Sequence, residues 1–247
     1  MRADAGEVLS LEADANRAWP AREVVSGSHW ELRWSDGLHR RTCSATVYDG
    51  ADLDKAVGTV AAFYRDRNAP AIVKVTHEAS PVGLDPFLAD RGWAHDATTQ
   101  VRTRPIGSFA AESWIDLGTP HDAWLAAFTT ASGYDADQTR ILAALLDRID
   151  VPMARASASV DDAIAAVGLG VLVDRRIGIF EMVTFPRHRG KGLAGGILRS
   201  LLAWGGDQGA EEAFLQVFAN NRAAIHLYAR TGFVERYRYW YRVRPVA

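Results

Sequence analysis

Apolar residues along this chain recur with two spacings, and the switches between them mark its elements. The runs "AIVKV" (71–75), "MARASASV" (153–160), "DAIAAVGLGVLVD" (162–174), "IGIFEMVTF" (177–185) and "EAFLQVF" (212–218) are short, β-rich and predict strands. In "PHDAWLAAFTTAS" (120–132), "DADQTRILAALLDRI" (135–149) and "NRAAIHLYAR" (221–230) the apolar positions fall three and four apart, which predicts amphipathic helices. A further helix is expected from Gly192 to about Gly206, and a strand at "SWIDL" (113–117). In "FVERYRYWYRV" (233–243), Arg236, Arg238 and Arg242 alternate with Tyr237, Tyr239 and Tyr241, so a strand here has an aromatic face and a cationic face. The predicted class is α/β, with helices flanking a mixed sheet.

The pattern also repeats. "FLADRGWAHDATTQVRTRP" (87–105) aligns without a gap on "LYARTGFVERYRYWYRVRP" (227–245): Gly92 meets Gly232, Trp93 meets Phe233, Arg102 and Arg104 meet Arg242 and Arg244, and Pro105 meets Pro245. Each copy predicts a short helix closed by a glycine C-cap, then a strand that stops before proline. Two related α/β units follow, residues 1–105 and 106–247. The copies are not equal, because nothing in 1–105 resembles the glycine-rich turn "FPRHRGKGLAGG" (185–196), and Leu88 stands where the second copy has Tyr228.

Composition narrows the chemistry. With 247 residues and 48% hydrophobic content the chain can build a large core, and its formal net charge of -2 supplies no global field for nucleic acid. Cys43 is the only cysteine, which excludes an intrachain disulfide and a multi-thiolate metal cage and fits a reducing compartment, the cytoplasm by default. Glu7, Glu12 and Asp14 interrupt any signal-like apolar region at the start, and "AIAAVGLGVLV" is too short to span a bilayer. No metal, no nucleic acid and no membrane is expected as a partner; a homodimer is compatible with everything above.

The local exception is the turn. Gly190, Gly192, Gly195 and Gly196 leave backbone N–H groups bare at the head of a helix, and Arg187, His188, Arg189 and Lys191 surround them with charge. Bare amides and the positive end of a helix dipole make a phosphate cradle. "GKGLAG" also satisfies the dinucleotide fingerprint G-x-G-x-x-G, but a Rossmann domain needs several crossovers after it, and only one αβ pair remains. The acidic residue expected after the next strand is replaced by Ala219-Asn220. A nicotinamide cofactor is therefore disfavoured.

Arg189-Gly190-Lys191-Gly192-Leu193-Ala194 resembles the acetyl-CoA pyrophosphate motif [R/Q]-x-x-G-x-[G/A] of the GNAT acyltransferase superfamily, with Thr184-Phe185-Pro186 similar to that family's V-x-P strand end. Downstream, Leu215, Val217, Asn221, Ala224, Leu227, Tyr228, Gly232 and Phe233 match the family's L-x-V-x-x-x-N-x-x-A-x-x-L-Y-x-x-x-G-F. The resemblance implies a GNAT fold, a mostly antiparallel mixed sheet flanked by helices, here as two GNAT-like units in tandem with a degenerate first one. It implies acetyl-CoA as acyl donor and direct attack by an amine in a ternary complex.

The resemblance also assigns roles. Met182, Val183 and Thr184 would pair their backbone with pantetheine, provided a bulge frees the strand. Arg189 to Gly195 would hold the diphosphate, and Asn221 and Ala224 would contact the coenzyme arm, Asn221 being equally suited to N-cap its helix. Tyr228 would protonate the departing thiolate. Glu181 is the candidate general base, with an ion pair to Arg236 or Arg238 as the structural alternative. His226 is expected on the surface, and Trp30, Trp34, Trp114 and Trp124 either line an acceptor pocket or fill a core. A small primary amine is the expected acceptor. The alternatives are a protein or peptide N-acetyltransferase and a non-catalytic acyl-CoA-binding sensor.

Overall fold

A computed structural model describes residues 3–245 of the chain. They form two compact units, one made of residues 3–101, 217–221 and 235–245, the other of 102–216 and 222–234. The expected boundary after residue 105 falls close to the first division, whereas the last strand of the chain lies with the N-terminal unit.

The first unit contains α1 (Ala5–Ala18), β1 (Glu23–Ser26), β2 (Trp30–Trp34), β3 (Ala45–Val47), α2 (Leu53–Arg65), β4 (Ala71–Thr76), α3 (Leu84–Asp90) and the start of β5 (Ala94–Pro105). Strands β1 to β3 pair antiparallel, β3 and β4 pair parallel, and the far side of β4 pairs antiparallel with a strand from the chain's end. The second unit contains β6 (Ile115–Asp116), α4 (His121–Ser132), α5 (Ala136–Leu146), β7 (Met153–Val160), β8 (Ala163–Val173), β9 (Arg176–Thr184), α6 (Leu193–Asp207), most of β10 (Glu212–Phe218) and α7 (Arg222–Arg230). Here β6 to β9 pair antiparallel in sequence order, and β9 pairs parallel with β10. The strand from the end is β11 (Val234–Arg244).

Both units therefore run antiparallel strands into a strand–helix–strand crossover, the mixed, mostly antiparallel sheet expected from the sequence. The helix stops agree as well. Gly92 and Gly232 take φ of +77° and +87°, and in each copy the next residue's N–H returns to a carbonyl on the helix, Trp93 to Leu88 at 3.1 Å and Phe233 to Tyr228 at 2.9 Å. Only glycine takes this left-handed C-cap without strain.

Strand periodicity sorts the side chains of β11 as expected. Tyr237, Tyr239 and Tyr241 are buried, while Arg236 pairs with Glu7, Arg238 with Glu235 and Arg242 with Asp85. Asp85 also accepts from the Trp240 indole at 2.6 Å, and the Arg242 guanidinium beside it holds its carboxyl below the usual range. Two details depart from the sequence pattern. The strand at 113–117 shrinks to Ile115–Asp116, and Trp114 lies 46% exposed.

Candidate active site

The site begins at a bulge. Along β8 and β9, Val167 pairs with Val183 but Leu169 pairs with Phe180, so Gly168 alone faces both Glu181 and Met182. Glu181 takes φ of +47°, and a non-glycine residue held there costs about 1–3 kcal/mol, a strain that concentrates where backbone direction matters. A Cβ on Gly168 would come within 2.4 Å of the Met182 sulfur, which is why this strand position carries glycine. The buried Trp124 indole donates to the Gly168 carbonyl at 3.0 Å and fixes β8 opposite the bulge. Trp124 is thus a core residue of the second unit.

On its other side β9 pairs with β10 only from Arg176↔Glu212 to Ile179↔Leu215. The ladder stops where the bulge begins, and beyond the bulge Val183 and Thr184 pair in register with β8 alone. This is the freed strand edge that an extended ligand arm can join.

Beyond Thr184 the chain makes a short 3-10 turn, Pro186–His188, and reaches the glycine-rich segment. Gly190 and Gly192 take φ of +77° and +82°, with open space where a Cβ would sit, so it is backbone conformation that calls for glycine at both. Gly192 is the N-cap of α6 and no side chain caps that helix. The first-turn N–H groups, those of Leu193, Ala194 and Gly195, are left for an outside acceptor.

One part of the sequence reading of this turn needs correction. The Gly196 N–H is not bare but donates to the Gly192 carbonyl at 3.1 Å, and Gly195 and Gly196 lie inside the helix expected from Gly192. Both are buried inside α6, and a Cβ on Gly196 would meet the Trp114 ring at 2.2 Å, so this glycine seats a tryptophan. Trp114 belongs to a segment held along α6 by Glu112, which accepts from the Arg199 guanidinium at 2.8 and 2.6 Å while its N–H donates to Ser200. His188 accepts from Arg187 Nε at 2.9 Å, and desolvation followed by the charges of Lys191 and Arg187 holds its imidazole below the usual value. The cationic rim is Arg187, Arg189 and Lys191, all exposed, with Arg189 Nε directed to the Thr184 carbonyl at 3.3 Å.

Tyr228 lies on α7, buried to 7% exposure, its ring edge-on to Phe233. Burial first, and then the Glu181 charge, pushes its phenol up to about 12. A phenol that keeps its proton through the neutral range suits an acid. The alternative partners for Glu181 are engaged elsewhere, Arg236 with Glu7 and Arg238 with Glu235.

The structure thus brings Glu181 to Thr184, Arg189 to Gly195 and Tyr228 into one unit. Ala224 lies in the first turn of α7, and Asn221 immediately precedes that helix, its N–H donating to Phe218. His226 is exposed, as expected, and Trp30 and Trp34 pack against the first unit's core. Sequence reasoning missed Gly168, which sits opposite the bulge on β8, and offered Trp124 as a pocket or core residue without its bond to that glycine. Among the described residues, no group of three or more histidine, cysteine or acidic side chains is arranged to hold a metal ion, and no helix is long and apolar enough to cross a membrane.

The family described as "Probable histone acetyltransferase Rv0428c C-terminal" matches residues 5–242. The chain is 27% identical over 250 residues to "Uncharacterized N-acetyltransferase YobR" of Bacillus subtilis (strain 168), covering 96% of this chain and 99% of the relative. A solved GCN5-related N-acetyltransferase from Kribbella flavida has a TM-score of 0.71 at 14% identity, covering 98% of this chain and 95% of that one. A tandem GNAT protein from the clavulanic acid biosynthesis pathway has a TM-score of 0.62 at 15% identity, covering 93% and 87%. The two solved structures bear on fold alone.

Proposed function

Because the chain belongs to the family described as "Probable histone acetyltransferase Rv0428c C-terminal" and is a GNAT-type N-acetyltransferase, we propose that it moves the acetyl group of acetyl-CoA to the primary amine of a small molecule. The observation that carries this reading is the uncapped head of α6 behind Gly190 and Gly192, on the same unit as a bulged, half-paired β9. That donor set fits a diphosphate followed by an amide-bearing arm. The backbone amides of Leu193, Ala194 and Gly195 would take the diphosphate oxygens, with Arg189 and Lys191 adding charge. The main chain of Met182 to Thr184 would take the arm as an added strand, and a free N–H there would polarise the acetyl carbonyl.

Acetyl-CoA supplies an activated thioester, and the amine attacks it directly. Glu181 removes a proton from the amine, either itself or through water. Tyr228 gives its proton to the departing sulfur, which its raised pKa allows because the phenol is still protonated at working pH. Calorimetry with acetyl-CoA should find one site per chain, and release of free thiol should follow when an acceptor from a small-amine panel is added. Absence of heat with acetyl-CoA would sink the reading.

The family's description favours a second reading in which the acceptor is a lysine of a basic protein. The same thiol assay separates the two. Turnover with core histones and none with small amines would favour the protein acceptor.

A further inference from the structure

We infer that the first unit holds a second small-molecule site, built to take a zwitterion of amino-acid size. A row of polar and charged side chains crossing four strands on one sheet face carries the inference. Glu31 pairs with Thr46, Thr46 with Lys74, and Lys74 with Tyr241, so all four share a face. Their neighbours Leu32, Ala45, Val47, Val73 and Val75 turn the other way, into an apolar core with Val57, Val60 and Tyr64 of α2. Over the polar row lies a cavity of about 270 Å³, closed by Leu9, Glu12, Ala13 and Asn16 of α1.

The charges around this cavity are deeply placed. The Lys74 and Arg33 side chains keep 8% and 7% exposure, those of Glu12 and Glu31 15% and 21%. Lys74 pairs with Glu12, whose other oxygen accepts from the Tyr237 hydroxyl at 2.7 Å. Arg33 meets Glu31 only at 3.4 Å and gives its second terminal nitrogen to the carbonyls of Asn16 and Trp19 at 3.2 and 3.1 Å. Its Nε is buried without a partner.

Buried ion pairs seldom stabilise a fold more than apolar residues of similar volume would, and a buried N–H with no acceptor costs about 1–3 kcal/mol. A stability role therefore does not explain why these groups line a cavity when the opposite face of the same strands packs dry. The lining offers two cations and two anions. A ligand with a single charge would answer half of it and repel the other half. A zwitterion answers both, its carboxylate toward Arg33 and Lys74, its ammonium toward Glu31 and Glu12, with the hydroxyl of Thr46 between them. The inference is independent of the acetyl-transfer reading.

Calorimetric titration of the full-length chain with each free proteinogenic L-amino acid, coenzyme absent, tests it. Saturable one-to-one binding of at least one of them is expected. Ala13→Phe narrows the cavity while keeping all four charges, and Thr46→Val removes a hydroxyl without changing shape; each should raise Kd by about tenfold or more. Folding of both variants is verified by an unchanged thermal midpoint. Gly192→Val should leave this affinity within about twofold, which separates the site from the coenzyme turn. No saturable heat with any amino acid overturns the proposal. So does binding that Ala13→Phe and Thr46→Val both leave untouched, or binding that disappears in Gly192→Val.

Discussion

The turns before α2 and α6 share a frame and treat the helix head in opposite ways. Asp49-Gly50-Ala51-Asp52-Leu53 leads into α2, and Arg189-Gly190-Lys191-Gly192-Leu193 leads into α6, with Gly50 at φ +81° and Gly190 at +77°. In the first turn Asp52 is the N-cap and accepts from the Lys55 N–H at 3.2 Å, a bond that holds its carboxyl below the usual range. His29 also crowds Gly50, where a Cβ would meet its ring at 2.9 Å. In the second turn Gly192 supplies no side chain, and the space above both glycines is open. The first helix head is thus satisfied by the protein's own carboxylate, and the second is kept vacant and surrounded by cations. An anion site at a helix N-terminus comes from withholding the cap as much as from adding basic residues.

The following helices repeat the contrast. Leu88 and Tyr228 sit at the same point before identical glycine C-caps, both buried, and only one carries a proton to give. The same helix stop thus occurs in both segments, with a hydroxyl in one and none in the other.

Making the second turn like the first is the harshest test. Gly192→Asp should weaken acetyl-CoA binding by about a hundredfold or more, since the new carboxylate would take the amides and repel the diphosphate. A calorimetric Kd equal to the parent's breaks the comparison. Next, Tyr228→Phe should lower turnover by roughly tenfold or more with little change in acetyl-CoA affinity, the signature of a group used in the chemical step. Equal kcat in variant and parent removes Tyr228 from the mechanism.

Tyr228 also predicts an alkaline effect. The unfolded chain releases this proton near the ordinary value of 10 and the folded chain keeps it until about 12. Stability is therefore lost as pH rises from the first value through the second, on top of the same effect from buried Tyr237 and Tyr241. Urea midpoints between pH 9 and 11 should fall less steeply in Tyr228→Phe than in the parent. The smallest effect is expected at the first turn, where Asp52→Ala removes a cap and should lower the thermal midpoint by about 2 °C, measured by calorimetric scanning, with acetyl-CoA affinity unchanged.

Much of this was legible in the residues. Glycines at 190 and 192 marked the turn before α6, and Gly92 with Gly232 marked two matching helix stops, because positive φ leaves few substitutes for glycine. The counterpart turn was overlooked, since "DGAD" shares only Gly50 with "RGKG"; the same gapless frame that aligns Gly92 with Gly232 would have found it. Gly196 was misread as leaving its N–H bare, because its spacing from the cap, which lets it donate to the Gly192 carbonyl, was not counted. Nothing near Glu181 in the chain announces that Gly168 and Trp124 hold the bulge from the adjoining strand.

What the sequence by itself determined is local: where helices start and stop, which strand faces are aromatic or charged, and which helix head lacks a cap, since backbone conformation and side-chain period are properties of neighbours along the chain. The tertiary structure alone decided that β11 pairs with β4, that the β9–β10 ladder ends at the bulge, and that Glu31, Thr46 and Lys74 fall into one polar row. Those outcomes depend on register between segments distant in sequence, and a period of two is the same whichever partner a strand finds.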